Sequence, residues 1–336
     1  LIVKVFGSKK LLEYPKEHPT FYDWMNKTIE EKLNEHIRND DLKKLLLAHI
    51  GYIGADPSEV QASSALTACI SYYLHGGYFP KGGAQRFAET LRKFIEGHGG
   101  EVLVNHRVDR IIVEGGMVKG VLSRNKFFSA PIVISNVNAK TTFLELVGEE
   151  NLERGFVEYL RGLKMSPSSF MVFLGVDMNL SAYPTLIKSL DEGFELVINS
   201  NADPSLAPEG KSSVTILAGA RYEDFPERGT ERYSKVKMEV AESLVRKAEG
   251  LIPGLSERVV VMDAATPKTF ERYVSMPEGA IYAFDQSKDV KRPYFKTPIE
   301  GLYLVGASTF PGGGVEAVVI SGMICAYDVT GWKKLS

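Results

Sequence analysis

Gly312-Gly313-Gly314-Val315-Glu316-Ala317 is the run with the clearest chemical potential: three glycines ahead of an apolar stretch. Its spacing fits G-x-G-x-x-A, in which a glycine turn brings backbone against a dinucleotide pyrophosphate. That fingerprint also needs a second strand and an acidic residue ~20 positions further on. Here a single helical pattern, Val315–Val329, follows the glycines, so the run is not a dinucleotide fingerprint. Leu302-Tyr303-Leu304-Val305-Gly306 reads as a strand ahead of it. A strand, a glycine cluster and a helix start gather unpaired backbone N–H groups and a partial positive charge at one point. Such a point stabilises an anion or an electron-rich carbonyl oxygen. The competing reading is close packing of strand on helix through an empty glycine turn.

Other catalytic constellations are missing. There is no G-x-x-x-x-G-K-[ST], H-E-x-x-H, C-x-x-C or G-x-S-x-G. His18, His36, His49, His75, His98 and His106 have no metal-ligand spacing, so no metal is expected. His98 and His106 flank a strand and read as surface residues. Asp40-Asp41 and Glu149-Glu150 read as solvated faces or helix ends. Cys69 and Cys325 sit in apolar helical patterns, which excludes a disulfide scaffold and points to buried free thiols in a reducing compartment. No catalytic residue can be singled out, and an enzyme without visible acid, base, nucleophile or metal relies on an organic cofactor. Lys plus Arg is 40 and Asp plus Glu is 42, a net charge of −2 with no basic stripe, so no nucleic-acid partner is expected. Residues 315–329 carry Glu316 and Asp328 and are too short to span a bilayer.

The elements that must position these residues follow from periodicity. At 336 residues, 44% hydrophobic and 24% charged, the chain is globular and long enough for about two domains. Residues 1–75 are mainly helical. Phe21, Trp24, Met25, Ile29 and Leu33 form one stripe, expected to be core, and Leu42, Leu45, Leu46 and His49-Ile50 another. Ser58 is the expected N-cap of a third helix carrying Val60, Ala65, Ala68 and Cys69. A glycine-rich loop at 76–83 leads into an amphipathic helix at 84–96, with Phe87, Ala88, Leu91, Phe94 and Ile95 on one face. Segments 101–105, 108–113 and 118–122 read as a β-meander. Pro131-Ile132-Val133-Ile134-Ser135-Asn136 reads as a strand buried on both faces, sharing a parallel sheet with 302–306 under two layers of helices. Runs 170–176 and 213–217 read as sheet, and 234–251 as an amphipathic helix. No flexible linker separates the parts. The expected class is α/β (mixed α+β), with interwoven domains.

Four blocks, spanning about residues 76 to 330, give this chain a resemblance to the phytoene desaturase-like FAD-dependent oxidoreductases of the amine-oxidase-type flavoprotein superfamily. Tyr78-Phe79-Pro80-Lys81-Gly82-Gly83 resembles the "YxPxGG" block beside the flavin ring. Val104-Asn105-His106-Arg107-Val108-Asp109-Arg110-Ile111 resembles the block whose valine lies against the adenine end of FAD. Ala265-Thr266-Pro267-Lys268-Thr269-Phe270-Glu271-Arg272-Tyr273, with Pro277-Glu278-Gly279-Ala280-Ile281-Tyr282, resembles the "TP…F…PxGAIYG" block. Gly301 through Thr309, with Pro311 to Val315 and Ser321-Gly322, resembles the C-terminal flavin block.

The resemblance implies FAD as cofactor, with Pro80, Gly82, Gly83, Val108, Gly306, Ala307, Ser308, Gly313, Gly314 and Val315 binding it. It implies that the last helix points its N-terminus at the flavin. It also implies a partial FAD-binding Rossmann-like domain at 76–149 and 291–336, interwoven with a helical and sheet substrate domain at 1–75 and 150–290. The implied activity is hydride transfer at carbon–carbon bonds of a lipophilic polyene or isoprenoid, as desaturase, saturase or isomerase. The alternatives are an amine oxidase-type flavoenzyme and a non-catalytic fragment that keeps the substrate domain. A cytoplasmic protein with peripheral membrane contact is the corresponding expectation.

One departure is large. The family opens with a βαβ unit bearing G-x-G-x-x-G, and these residues contain none; Leu1-Ile2-Val3-Lys4-Val5 resembles a point well inside the family's chain. The chain starts at Leu1, and Lys9-Lys10 after an apolar start does not make a signal peptide. The expectation is a fragment, or a protein that needs a missing N-terminal segment or partner chain. Residues 1–336 alone are then expected to bind FAD poorly and to aggregate, and a restored βαβ unit of ~30 residues or more to recover both properties.

Overall fold

A computed structural model of the chain describes residues 13–48 and 53–331; Leu1-Ile2-Val3-Lys4-Val5, Lys9-Lys10 and His49-Ile50 lie outside these residues. The chain divides into two units. One holds the described residues up to Tyr78 together with Asp285–Lys291; the other holds Phe79–Phe284 and the residues from Arg292 onward.

The first unit contains α1 (Pro19–Asn26), α2 (Ile29–His36), α3 (Asp40–Leu47) and α4 (Ala62–His75). Local chemistry starts the first three. Pro19 opens α1. Thr28 and Glu31 form a reciprocal capping box on α2, and the Asn39 side chain accepts from the Leu42 N–H on α3. Ile29, Val60, Ala62 and Ala65 form a small core, with Trp24, Leu33 and Cys69 packed against it. Lys32 is 4% exposed, and its ammonium is bonded by Asp23 and Glu35 and lies 5.2 Å from the Trp24 ring centre. A charge this buried persists because both carboxylates neutralise it.

Two expectations change here. Ser58 does not cap α4, which begins at Ala62; its hydroxyl instead bonds Asp56 Oδ1 at 2.5 Å within a turn. An Asx turn satisfies that hydroxyl locally and leaves none for the helix. Phe21 and Met25 are exposed, and of their stripe on α1 only Trp24 reaches the core. Phe21 and Trp24 instead face Leu66, Ile70 and Leu74 of α4 across a cavity of about 570 Å³.

The second unit is built on a five-stranded antiparallel sheet, ordered β6-β7-β8-β5-β9. Its strands are β5 (Ser168–Val176), β6 (Leu186–Ser189), β7 (Phe194–Ile198), β8 (Ser212–Ala220) and β9 (Val259–Ala265). Side chains alternate across a strand, so Phe170, Val172, Leu174 and Val176 are buried while Phe173 between them is exposed. The buried row packs against Ala241, Leu244, Val245 and Ala248. These lie on α7 (Glu231–Ala248), which follows α6 (Arg154–Gly162) in the chain. Helix α7 starts three residues before the periodicity suggests because Thr230 accepts from the Tyr233 N–H.

The meander is β1 (Arg110–Glu114), β2 (Met117–Ser123) and β3 (Lys126–Ser129), ordered β1-β2-β3. Segment 101–105 is not one of its strands. Arg124 and Asn125, at φ 48° and 60°, make the two-residue turn that brings β3 onto β2, so the third strand is added beyond β2 and not, as expected of 101–105, beside β1. An extended segment without a ladder partner does not count as a strand, however apolar it is.

Strands β4 (Val133–Ser135) and β10 (Leu302–Leu304) pair in parallel, Leu302 with Val133 and Leu304 with Ser135, as the sequence suggests. Burial on both faces does not hold. Leu302 and Leu304 are 1% and 0% exposed, whereas Ile134 on the opposite face is 48% exposed. Among the described residues, cover is supplied to one face only. The apolar face of α5 (Gly83–Gly97) is likewise exposed at Phe87, Leu91, Phe94 and Ile95. Among the described residues, no helix is long and apolar enough to cross a membrane.

Candidate functional site

The glycine cluster lies at the carboxyl ends of the two parallel strands, where open α/β sheets receive ligands. Past β10, the Val305 N–H donates to Ser135 O at 2.8 Å, which holds the two strand ends level. Gly306 then turns with φ 87°. A β-carbon there would run into Asn136 Oδ1. The Gly306 N–H donates to Ser321 Oγ at 2.9 Å, and both groups are buried. Ala307 is half-buried, and Ser308 Oγ, buried, accepts from the Ala139 N–H at 3.1 Å. Thr309 Oγ1 donates to Pro293 O at 2.8 Å. Three side-chain hydroxyls thus tie the strand-to-helix connection to its surroundings.

Helix α9 (Val315–Val329) follows, with the bounds expected from sequence. Gly314 is its N-cap and, having no side chain, makes no capping bond. The first-turn N–H groups of α9 have no partner within the helix. The three glycines differ in what surrounds them. At Gly313 a β-carbon would lie 2.8 Å from Tyr282 Cβ and 3.0 Å from Tyr282 Cα, so this glycine admits the Tyr282 backbone. Gly314 has φ 105°, and a β-carbon there would meet nothing within 4 Å. Its open side lies next to the free end of the helix. Val315 beside it is exposed.

Tyr282 is held by the large sheet. Its N–H donates to Ser166 Oγ at 2.9 Å, the Ile281 N–H donates to Pro167 O at 3.2 Å, and Ser168 Oγ donates to Gly279 O at 2.6 Å. Ser168 at the start of β5 and the two residues before it therefore fix the loop that Gly313 packs on. This loop follows α8 (Pro267–Val274), whose start is set by a Thr266–Thr269 capping box.

Pro80, Gly82 and Gly83 form a second loop. The Gly83 N–H donates to Pro80 O at 2.9 Å, and Gly82 has φ 86° and ψ 7°. That is a type II turn with glycine at its third position, where the conformation requires one. Pro80 and Gly82 are exposed and Gly83 is buried. Val108 is half-buried on the stretch leading to β1, in neither loop.

Reasoning from sequence missed Ser321 as the acceptor for Gly306 and Asp203 as the acceptor for the Gly82 N–H. A serine inside an apolar helix is a weak sign of the first; nothing local signals the second. The thiols of Cys69, half-buried, and Cys325, buried, are both pushed up in pKa by burial, so neither is a ready nucleophile.

Ser321→Ala would leave the Gly306 N–H buried without a partner, at a cost of ~1–3 kcal/mol. The expected result is a melting temperature several degrees below wild type, with Ser321→Thr less damaging. Equal melting of the alanine variant and wild type would show that the amide finds another acceptor.

The family described as "Flavin containing amine oxidoreductase" matches residues 3–330. The chain is 31% identical over 285 residues to the chloroplastic prolycopene isomerase of Daucus carota, covering 80% of this chain and 46% of that protein. It is 27% identical to the neurosporene-forming phytoene desaturase of Cereibacter sphaeroides, covering 94% of this chain and 66% of that protein. The chain spans about half the length of the prolycopene isomerases it matches. Among solved structures, an oxidoreductase from Methanosarcina mazei superposes with a TM-score of 0.70 at 20% identity, over 89% of this chain and 68% of that one. Cyclohexylamine oxidase from Brevibacterium oxydans superposes at 0.58 and 13% identity, over 97% and 76%. At these identities the likeness to solved structures is one of fold, a mixed α/β architecture shared with the amine oxidase.

Proposed function

The chain belongs to the flavin containing amine oxidoreductase family, and from that premise we propose that it is part of an FAD-dependent oxidoreductase acting on carbon–carbon bonds of a lipophilic polyene or isoprenoid. One observation carries the flavin part: Gly314, with φ 105° and open space where a β-carbon would stand, beside the uncapped start of α9. The residues present fit a flavin. A flat, electron-rich ring edge suits a helix terminus that offers free N–H groups and has no side chain in the way. When bound, the flavin supplies the capacity to accept or give up a hydride.

The chain's own residues bind and orient. The first-turn N–H groups of α9 offer positive charge to an electron-rich carbonyl edge. Gly306, Ala307 and Ser308 set the height of the connection above the parallel strands, and Pro80, Gly82 and Gly83 shape a second wall. Val108 is assigned to the adenine end. We assign residues 76–149 and 291–336 to flavin binding, and 1–75 and 150–290 to substrate binding.

The lipophilic substrate is supported by relatives whose names denote prolycopene isomerase and phytoene desaturase activities. The cavity between α1 and α4 agrees in character. Phe21, Trp24, Leu66, Ile70 and Leu74 wall it, and the Thr67 hydroxyl on its lining is spent on Ser63 O at 2.7 Å. Such a wall accepts hydrocarbon and gives polar groups little purchase.

The test is to purify the full-length protein, record its visible spectrum, and add a linear polyene or a primary amine without oxygen. The expected result is a yellow protein that releases FAD on denaturation and converts the polyene but not the amine. A colourless protein that cannot be reconstituted with FAD overturns the proposal. Turnover of the amine alone overturns its substrate half.

A further inference from the structure

We propose that Asp203 is a positioning residue: it caps α5 from 121 residues away and so holds the Pro80–Gly83 turn in the shape that the flavin site uses. The inference rests on the flavin reading above.

Helix N-termini are commonly capped by Ser, Thr, Asp or Asn at the N-cap. In α5 that position is Gly82, whose φ of 86° at the third place of a type II turn favours glycine and disfavours those side chains. The helix therefore cannot readily cap itself. Asp203 instead satisfies one donor at the helix start, the N–H of Gly82 itself. It is 6% exposed, and its Oδ2 accepts the Gly82 N–H. Its Oδ1 accepts the Ser205 N–H at 3.0 Å, which fixes the carboxylate to its own turn, Pro204–Leu206. The same turn sets Leu206 Cδ2 3.6 Å from where a Gly83 β-carbon would be. One short segment thus grips both glycines, one by a hydrogen bond and the other by contact. The Gly82 N–H is the largest influence holding the Asp203 carboxyl below the ordinary aspartate range, so it stays ionised opposite the helix start.

This arrangement has a consequence for the site. The Gly82 N–H is spent on Asp203 and the Gly83 N–H on Pro80 O. The turn therefore offers a ligand its shape and its glycine surfaces rather than these two donors. Holding the shape is the task left to Asp203.

The experiment compares wild type, Asp203→Ala and Asp203→Asn in the full-length protein. Hydrogen exchange of the peptide covering 78–86 is followed without cofactor, and the FAD dissociation constant and the visible spectrum of the bound flavin are measured by titration. Alanine removes the acceptor; asparagine keeps an acceptor oxygen and removes only the charge. For Asp203→Ala the expected result is exchange about tenfold faster or more at Gly82, FAD binding about tenfold weaker or more, and an altered flavin spectrum. Asp203→Asn should recover most of each. Wild-type exchange and affinity in Asp203→Ala overturn the inference, and so does an asparagine variant as damaged as the alanine one. If Asp203→Ala does not fold, Asp203→Ser takes its place under the same criteria, since its shorter side chain can still accept the Ser205 N–H but falls short of the Gly82 N–H. A wild-type protein that takes up no FAD refutes the flavin reading instead, and the exchange measurement then still decides whether Asp203 holds the turn.

Discussion

Gly314→Val is expected to abolish flavin uptake while leaving the protein folded. Gly314 has φ 105°, in the region that residues with a β-carbon rarely adopt. With ψ at 149° this is an extended, positive-φ region that is essentially glycine's own, and holding valine there costs on the order of 1–3 kcal/mol, which a folded unit of this size tolerates. The β-carbon itself adds no clash, since it meets nothing within 4 Å. The same openness makes the functional effect large. The isopropyl group would occupy the space in front of the first-turn N–H groups of α9, and a planar ring could no longer approach them. The measurement is an FAD titration beside a thermal melt. Affinity should fall by about a hundredfold or more, while the melting temperature drops by only a few degrees. A variant that still binds FAD normally would return the glycine to a packing role.

Gly313→Ala should fail differently, with stability falling first. Its methyl would lie 2.5 Å from Tyr282 Cδ1 and 3.0 Å from Tyr282 Cα. The Tyr282 ring can swing, but its backbone is held by the bond to Ser166 Oγ and the neighbouring Ile281 bond to Pro167 O. Overpacking against fixed backbone costs ~1–3 kcal/mol. A fall in melting temperature of several degrees is expected, with weaker flavin binding because the loop carrying Tyr282 must move. Replacing Tyr282 by glycine in the same chain should return part of the lost stability, since it removes the ring while the backbone contact stays. A Gly313→Ala protein that melts like wild type would mean that the loop yields at no cost. The two adjacent glycines thus make a pair of opposite controls, one mainly for the ligand and one mainly for the fold.

Much of this was legible in the sequence. The apolar run of α9 and the glycines before it gave the bounds of the last helix. The short apolar runs around Ile134 and Leu304 foretold a parallel pair, and four motif blocks in order pointed to the family. These features are local: a run of side chains sets a period, and a glycine permits a conformation its neighbours do not. Where the reading went astray, something outside the segment had decided. Segment 101–105 is apolar enough for a strand, but pairing in the meander goes to β3. Phe21 has the spacing of a core residue, yet it lines a cavity beside Trp24.

The site shows the same division at the level of single atoms. That glycines were needed near 306 and at 312–314 followed from the sequence, because turns and close approaches demand them. Which partner each one serves did not follow. Gly313 is small for Tyr282, Gly306 gives its N–H to Ser321, and Gly82 gives its N–H to Asp203. A hydrogen bond or a contact between distant segments leaves no periodicity behind, since either residue alone would suit many other settings. The sequence by itself determined which segments form and where the backbone can bend. Only the tertiary structure decided which backbone groups are already satisfied and which, at Gly314 and the start of α9, remain open to a ligand.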